Sequence, residues 1–125
     1  MKLFIQHGLP FVTLTIRHEG NIITIDHVLV DTGSASTLFS TDLLATVGIK
    51  PDYRDSFRRV NGVGGYEYVV EKVVDELDLG GIVMTDHPIQ LGEMDYGFNI
   101  KGIIGSDIFI RRMACIDFST NSLKF

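Results

Sequence analysis

The stretch Val28-Leu29-Val30-Asp31-Thr32-Gly33-Ser34 decides how this chain is read. Three consecutive apolar residues have the pattern of a central strand, covered on both faces. The strand then delivers a carboxylate onto a tight turn. Asp31 is expensive in apolar surroundings unless it is paired or hydrogen-bonded. Gly33 permits a close backbone approach there. Backbone N–H groups and neighbouring hydroxyls can then reach the carboxylate. The same residues also fit an ordinary turn between two strands, since Asp and Gly are common turn formers. The sequence on either side has to separate the two readings.

On the N-terminal side, Phe11 to Arg17 alternates as a half-buried strand, Glu19-Gly20-Asn21 turns, and Asn21 to Val30 returns. On the C-terminal side, Leu38-Phe39 resumes as strand. Ser40-Thr41-Asp42 caps a short helix over Leu43 to Val47, closed by Gly48 and Pro51. Asp52 to Arg58 is polar and reads as a loop. Arg59 to Tyr66 reads as a glycine-tipped hairpin, and its second arm runs through Glu71 to Leu79. After Gly80-Gly81, Ile82-Val83-Met84 and Pro88 to Leu91 are two further strands, and Glu93 to Asn99 is a loop. Ile100 to Gly105 is a last apolar strand. Ser106-Asp107 is placed to cap a one- to two-turn helix carrying Ile108, Phe109 and Ile110. Cys115 to Phe118 and Ser122 to Phe125 flank a final turn. The whole pattern is that of an all-β chain with one or two short helices.

The 125 residues suit a single domain spanning 1–125, and 45% apolar content excludes disorder. A formal charge of −5 argues against nucleic acid or an anionic membrane as partner. Arg58-Arg59 and Arg111-Arg112 are short pairs of the kind found solvated on surfaces. The one cysteine, Cys115, lies among Met113, Ala114 and Ile116, which predicts a small buried residue in a reducing compartment. The N-terminal run Met1 to His7 breaks off too early for a signal peptide, and no apolar run approaches a membrane span. The expected location is cytoplasmic. His7, His18, His27 and His87 have no metal-ligand spacing and read as scattered surface residues, so neither metal nor cofactor is expected. Ser36 and Ser106 lack the Gly-x-Ser-x-Gly context of a nucleophile elbow. Gly62-x-Gly64-Gly65 lacks the third glycine and the βαβ setting of a dinucleotide loop. Asp107 and Asp117 read as structural.

Three motifs occur in a set order: Val30-Asp31-Thr32-Gly33-Ser34, then Gly62-Val63-Gly64-Gly65, then Gly102-Ile103-Ile104-Gly105 followed by a short apolar helix. In these residues the chain resembles the retropepsin-like aspartic proteases, from about Phe11 to Phe125. The resemblance implies a closed β-barrel. It also implies a homodimer in which each subunit gives one Asp-Thr-Gly loop to a shared site for a peptide or protein substrate. Two carboxylates in contact cannot both ionise cheaply and share one proton. The charged one acts as base on a water, and the protonated one donates to the scissile carbonyl. The sequence shows a single Asp-Thr-Gly, so a two-fold axis beside Asp31 has to supply the second carboxylate.

By the same resemblance Asp31, Thr32 and Gly33 form the catalytic loop, with Thr32 reaching across the axis. Ser34 matches a residue that hydrogen-bonds the catalytic carboxylate, which would favour a more acidic working range. Gly62, Val63, Gly64 and Gly65 match a mobile flap tip. Val60, Val63, Ile103 and Ile104 are expected to wall the subsites; Tyr66 and Tyr68 are near enough to reach the cleft, but the sequence leaves open which side they take. Ser122 to Phe125 could pair between subunits, as viral termini do. The extra length over minimal viral enzymes falls chiefly between the first turn and the flap. A second reading keeps the fold as a non-catalytic peptide-binding or dimerisation module.

Overall fold

The computed structural model describes residues 1–62, 65–94 and 99–125. Their elements run β1 Phe4–Gln6, β2 Leu9–His18, β3 Asn21–Val30, β4 Leu38–Ser40, α1 Thr41–Ala45, β5 Ser56–Gly62, β6 Gly65–Leu79, β7 Ile82–Gly92, β8 Gly102–Ile104, α2 Ser106–Arg111, β9 Cys115–Asp117 and β10 Ser122–Lys124. The architecture is all-β, as the strand patterning predicts. Six strands close on themselves in the order β2-β3-β8-β4-β7-β6, and β6 returns to β2 through the pairs Thr15↔Asp78 and Arg17↔Glu76. β1 continues the sheet beyond β2, and β5 continues it beyond β6. The long strand β6 makes this possible. Its first half pairs with β5 and its second half with β7, and residues near its end also reach β2.

The core follows from alternation. Val12, Leu14 and Ile16 of β2 are buried, and Val74, Leu77 and Leu79 of β6 meet them inside the barrel, with Phe39, Leu44, Ile104 and Ile108 closing one end. Gly102 has a specific reason to be glycine. A Cβ there would lie 2.5 Å from Cδ1 of the buried Phe39 ring, so the bare backbone is what lets β8 sit between β3 and β4.

Several sequence expectations need correction. The two strands expected on either side of Thr85-Asp86 are one continuous strand, β7, with Asp86 in the left-handed region at φ 48° where the ladder to β6 skips a pair. The polar stretch after Asp52 is a turn only as far as Asp55, and β5 begins at Ser56. β1, folded back onto β2 by a turn at His7-Gly8, was not foreseen because its three residues carry no alternation long enough to read. α2 begins at Ser106 with Gly105 as its cap residue, which has no side chain to offer, so Ser106 and Asp107 lie inside the helix rather than capping it. Cys115 is exposed, not buried: on β9 the neighbouring Ile116 packs on the core, and alternation turns Cys115 the other way. His18 and His87 are buried rather than on the surface.

The C-terminal strand is occupied on both edges. β10 pairs with β9, and on its other side Leu123 N–H donates to Met1 O and Leu3 N–H donates to Asn121 O. Pairing of Ser122 to Phe125 with another subunit would require one of these edges to open.

Candidate active site

Asp31 follows β3 directly. Its N–H donates to Ile104 O at 3.0 Å, so the β3–β8 ladder carries on to the aspartate itself. The chain then turns: Ser34 N–H donates to Asp31 O at 3.1 Å, and Gly33 N–H donates to the carboxylate Oδ1 at 3.0 Å. A Cβ on Gly33 would press on that oxygen at 3.2 Å, so glycine allows the amide to reach it. Asp31 is half-buried, and Thr32 and Gly33 are exposed at the apex.

The apex is held from behind by the third motif. Ser106 Oγ donates to Thr32 O at 2.6 Å, and Ser106 N–H donates to Ser34 O at 2.8 Å. Gly105 lies so close to the loop that a Cβ would sit 2.4 Å from Ser36 O and 2.7 Å from Ser34 O. Gly105 N–H donates to Thr37 Oγ1 at 3.2 Å, and Thr37 Oγ1 donates to Asp107 Oδ1 at 2.9 Å. The first and third motifs are thus one assembly in space.

Ser34 differs from expectation. Its hydroxyl donates to Ser36 O at 2.7 Å and receives Ser36 N–H at 3.4 Å, so it orders the loop and does not bind the Asp31 carboxylate in this subunit. The pH argument built on that contact loses its basis.

The two faces of the β3–β8 ladder are distinct. Val28, Val30 and Ile104 face the barrel interior, whereas Leu29 and Ile103 join a second apolar cluster with Phe11, Leu38, Val69, Ile100 and, on the hairpin, Val60. Alternation extended by one residue puts Asp31 on the side of Leu29 and Ile103. Ile103 and Val60 are therefore on the face expected for subsite walls. Ile104 is not: it is 0% exposed in the main core, a correction that follows from strand alternation. A concavity of about 430 Å³ between β1, β2 and β3 shares Phe11 with the second cluster.

The hairpin β5–β6 pairs Asn61↔Tyr66 and Gly62↔Gly65, and Gly65 takes φ 120°. Val63 and Gly64, expected at its tip, lie outside the described residues, as do residues 95–98 of the loop expected over Glu93 to Asn99. Directly opposed residues share a face, so Val60 is on the side of Val69, and Arg59 is on the opposite side with Tyr68. Tyr66 and Tyr68 meet edge to face at 5.9 Å, and Arg59 lies 5.3 Å over the Tyr66 ring. All three side chains are exposed and turned away from the Val60–Val69 face. The side that the sequence leaves open for the two tyrosines is thus the one opposite Val60 and Val69.

Thr37, Ser106 and Asp107 carry no site signal in the sequence: nothing marks Thr37, and Ser106-Asp107 has the pattern of a helix cap. No sequence signal pairs them, because their contact spans seventy positions of chain. Among the described residues no His, Cys, Asp and Glu cluster suits a metal ion, and no helix is long and apolar enough to cross a membrane.

A closed barrel with an Asp-Thr-Gly loop braced by a Gly-Ile-Ile-Gly strand defines the retropepsin-like aspartyl protease fold. A family model of aspartyl proteases matches residues 12–108, and the chain belongs to that family. No curated protein sequence matches it.

Proposed function

We propose that the chain is one single-domain subunit of a homodimeric aspartic endopeptidase, with Asp31 of each subunit forming the catalytic pair. The observation that carries the reading is the half-buried Asp31 carboxylate, held by Gly33 N–H beside the exposed apex of a loop that Gly105 and Ser106 brace from behind. A binding module has no need of a carboxylate held this way. One loop supplies one carboxylate, and the chemistry needs two.

In the proposed dimer the two carboxylates share a proton, because two charges in contact are costly. The ionised member takes a proton from water as the water attacks the peptide carbonyl. The other donates its proton to the carbonyl oxygen. Their titration belongs to the pair rather than to either residue. Gly33 N–H steadies the carboxylate, and Thr32 at the apex meets its counterpart across the axis. The substrate lies extended over the apolar face that includes Ile103 and Val60. Gly62, Val63, Gly64 and Gly65 close over it as a flap, and backbone hydrogen bonds give affinity while side-chain pockets give preference. Ser34 supports this loop rather than the substrate. The reading places the enzyme in the cytoplasm, acting on peptide or protein, and the formal charge of −5 argues against an anionic membrane as partner.

Subunit mixing tests the shared site. Excess Asp31→Asn subunit added to wild type should suppress peptide cleavage nearly completely, because mixed dimers hold one competent carboxylate. Activity that stays proportional to the wild-type chain present would show that each chain works alone.

A further inference from the structure

The β5–β6 hairpin reaches the Asp31 side of the sheet through Val60 and Val69, which share an apolar cluster with Leu29 and Ile103. Its position is fixed at the other end. The β5–β6 ladder runs from Gly62↔Gly65 back to Ser56↔Glu71. Lys72 is the first residue of β6 beyond that ladder, and it pairs with Ile89 of β7. It therefore stands at the root of the hairpin, where β6 becomes barrel wall alone.

Alternation turns Lys72 to the side of Val70 and Val74, which pack on the main core. Its side chain is 5% exposed. A lysine is almost never buried this far without a partner. Here the partners come from across the root. Lys72 Nζ donates to Asp55 Oδ2 at 3.1 Å, to Asp55 Oδ1 at 3.3 Å and to Asp52 Oδ2 at 3.3 Å. Asp55 is the residue before β5, and it is locked to Asp52 in turn. Asp52 N–H donates to Asp55 Oδ2 at 2.8 Å, and Asp55 N–H donates to Asp52 O at 3.1 Å. One ammonium thus ties the start of β5 to β6, one residue past the point where their backbone pairing ends. Stability alone does not account for this choice, because apolar groups in place of a buried ion pair are often as stabilising or more so. Charge-assisted hydrogen bonds add geometry: they hold their partners at a set distance and direction.

We propose that Lys72 is a positioning residue for the β5–β6 hairpin. Its ammonium pins the root to the barrel, so that the arms pivot over the Asp31 face only beyond Ser56 and Glu71. The consequence for substrate rests on the protease reading, whereas the pin itself can be tested without activity.

The test is amide hydrogen exchange in wild type, Lys72→Met and the double variant Lys72→Met with Asp55→Asn. The double variant leaves no stranded charge at Asp55, so it regains global stability without regaining the pin. Amides of β5 that bond to β6 should exchange at least about tenfold faster in both variants, over and above any change in the barrel strand β2. For peptide cleavage, KM should rise about tenfold while kcat falls less, because a loosened hinge weakens the hold on substrate. A purely structural role would speed β5 and β2 alike and lower kcat at unchanged KM. Equal acceleration of the two strands in the double variant, or an unchanged β5, overturns the proposal, and so does an unchanged KM. If Lys72→Met fails to fold, the double variant decides. A protein without cleavage activity in which β5 is still selectively loosened upholds the pin and tells against the protease reading.

Discussion

At the scale of single residues, glycines and one histidine make the sharpest claims. Gly105→Ala would put a methyl group within 2.4 Å of Ser36 O and 2.7 Å of Ser34 O. Both are backbone atoms of the loop that follows Asp31 and cannot swing aside. Overpacking of this kind costs about 1–3 kcal/mol. Urea unfolding should show at least that loss, and cleavage should fall further than stability accounts for because the loop itself is displaced. A fully stable Gly105→Ala protein would contradict the packing described. For His87 the sign follows from its lowered pKa. The unfolded chain binds the proton first as pH falls through about 6.5, so the stability contributed by neutral buried His87 is full above that value and is lost on acidification. His87→Phe should flatten the dependence of unfolding free energy on pH between 7.5 and 5. An equally steep dependence in the variant would show that another group is responsible.

At the scale of elements, strand alternation explains both what the sequence revealed and what it hid. β3 was legible over its whole length because alternation ends in a continuous apolar run, and α1 because Ser40 both reads and acts as its cap, accepting Leu43 N–H. The β5–β6 hairpin was legible from its glycines, and the Asp-Thr-Gly loop from the strand before it. Ile104 was misassigned because Ile103 and Ile104 look alike in sequence and only the pairing Leu29↔Ile103 says which face each takes. Ser34 was misassigned because a hydroxyl has several acceptors in reach and the nearer one, Ser36 O, is set by loop geometry. Lys72 was invisible: it is a mid-strand residue of β6, yet its side chain is 5% exposed and its ammonium contacts Asp55 at 3.1 Å and Asp52 at 3.3 Å. The Asp55 side chain is 9% exposed, so removing the lysine strands a buried charge. Lys72→Met should cost about 3 kcal/mol in urea unfolding, against a much smaller loss for Arg54→Ala, whose pairs with Asp52 and Glu19 lie in solvent. It should also loosen the turn that leads into β5, at the base of the hairpin. Equal, small losses in both variants would contradict the assignment.

At the scale of the whole molecule, the barrel closes through β6 and both edges of β10 are filled within one chain. Association of subunits should therefore leave β10 as it is. The Leu123 amide should be equally protected from hydrogen exchange below and above the concentration at which subunits associate. Protection that appears only on association would mean that the C-terminal strand opens to pair with a partner. The central claim concerns Asp31, and cleavage of a diverse peptide mixture tests it most directly, read by mass spectrometry from acidic to neutral pH for wild type and Asp31→Asn. Asparagine keeps the shape and can still receive the Gly33 N–H, but it cannot serve as the base. The account predicts cleavage at defined sites by wild type and its loss in the variant. Cleavage that is equal in both, or absent from a folded, dimeric wild type, would contradict it.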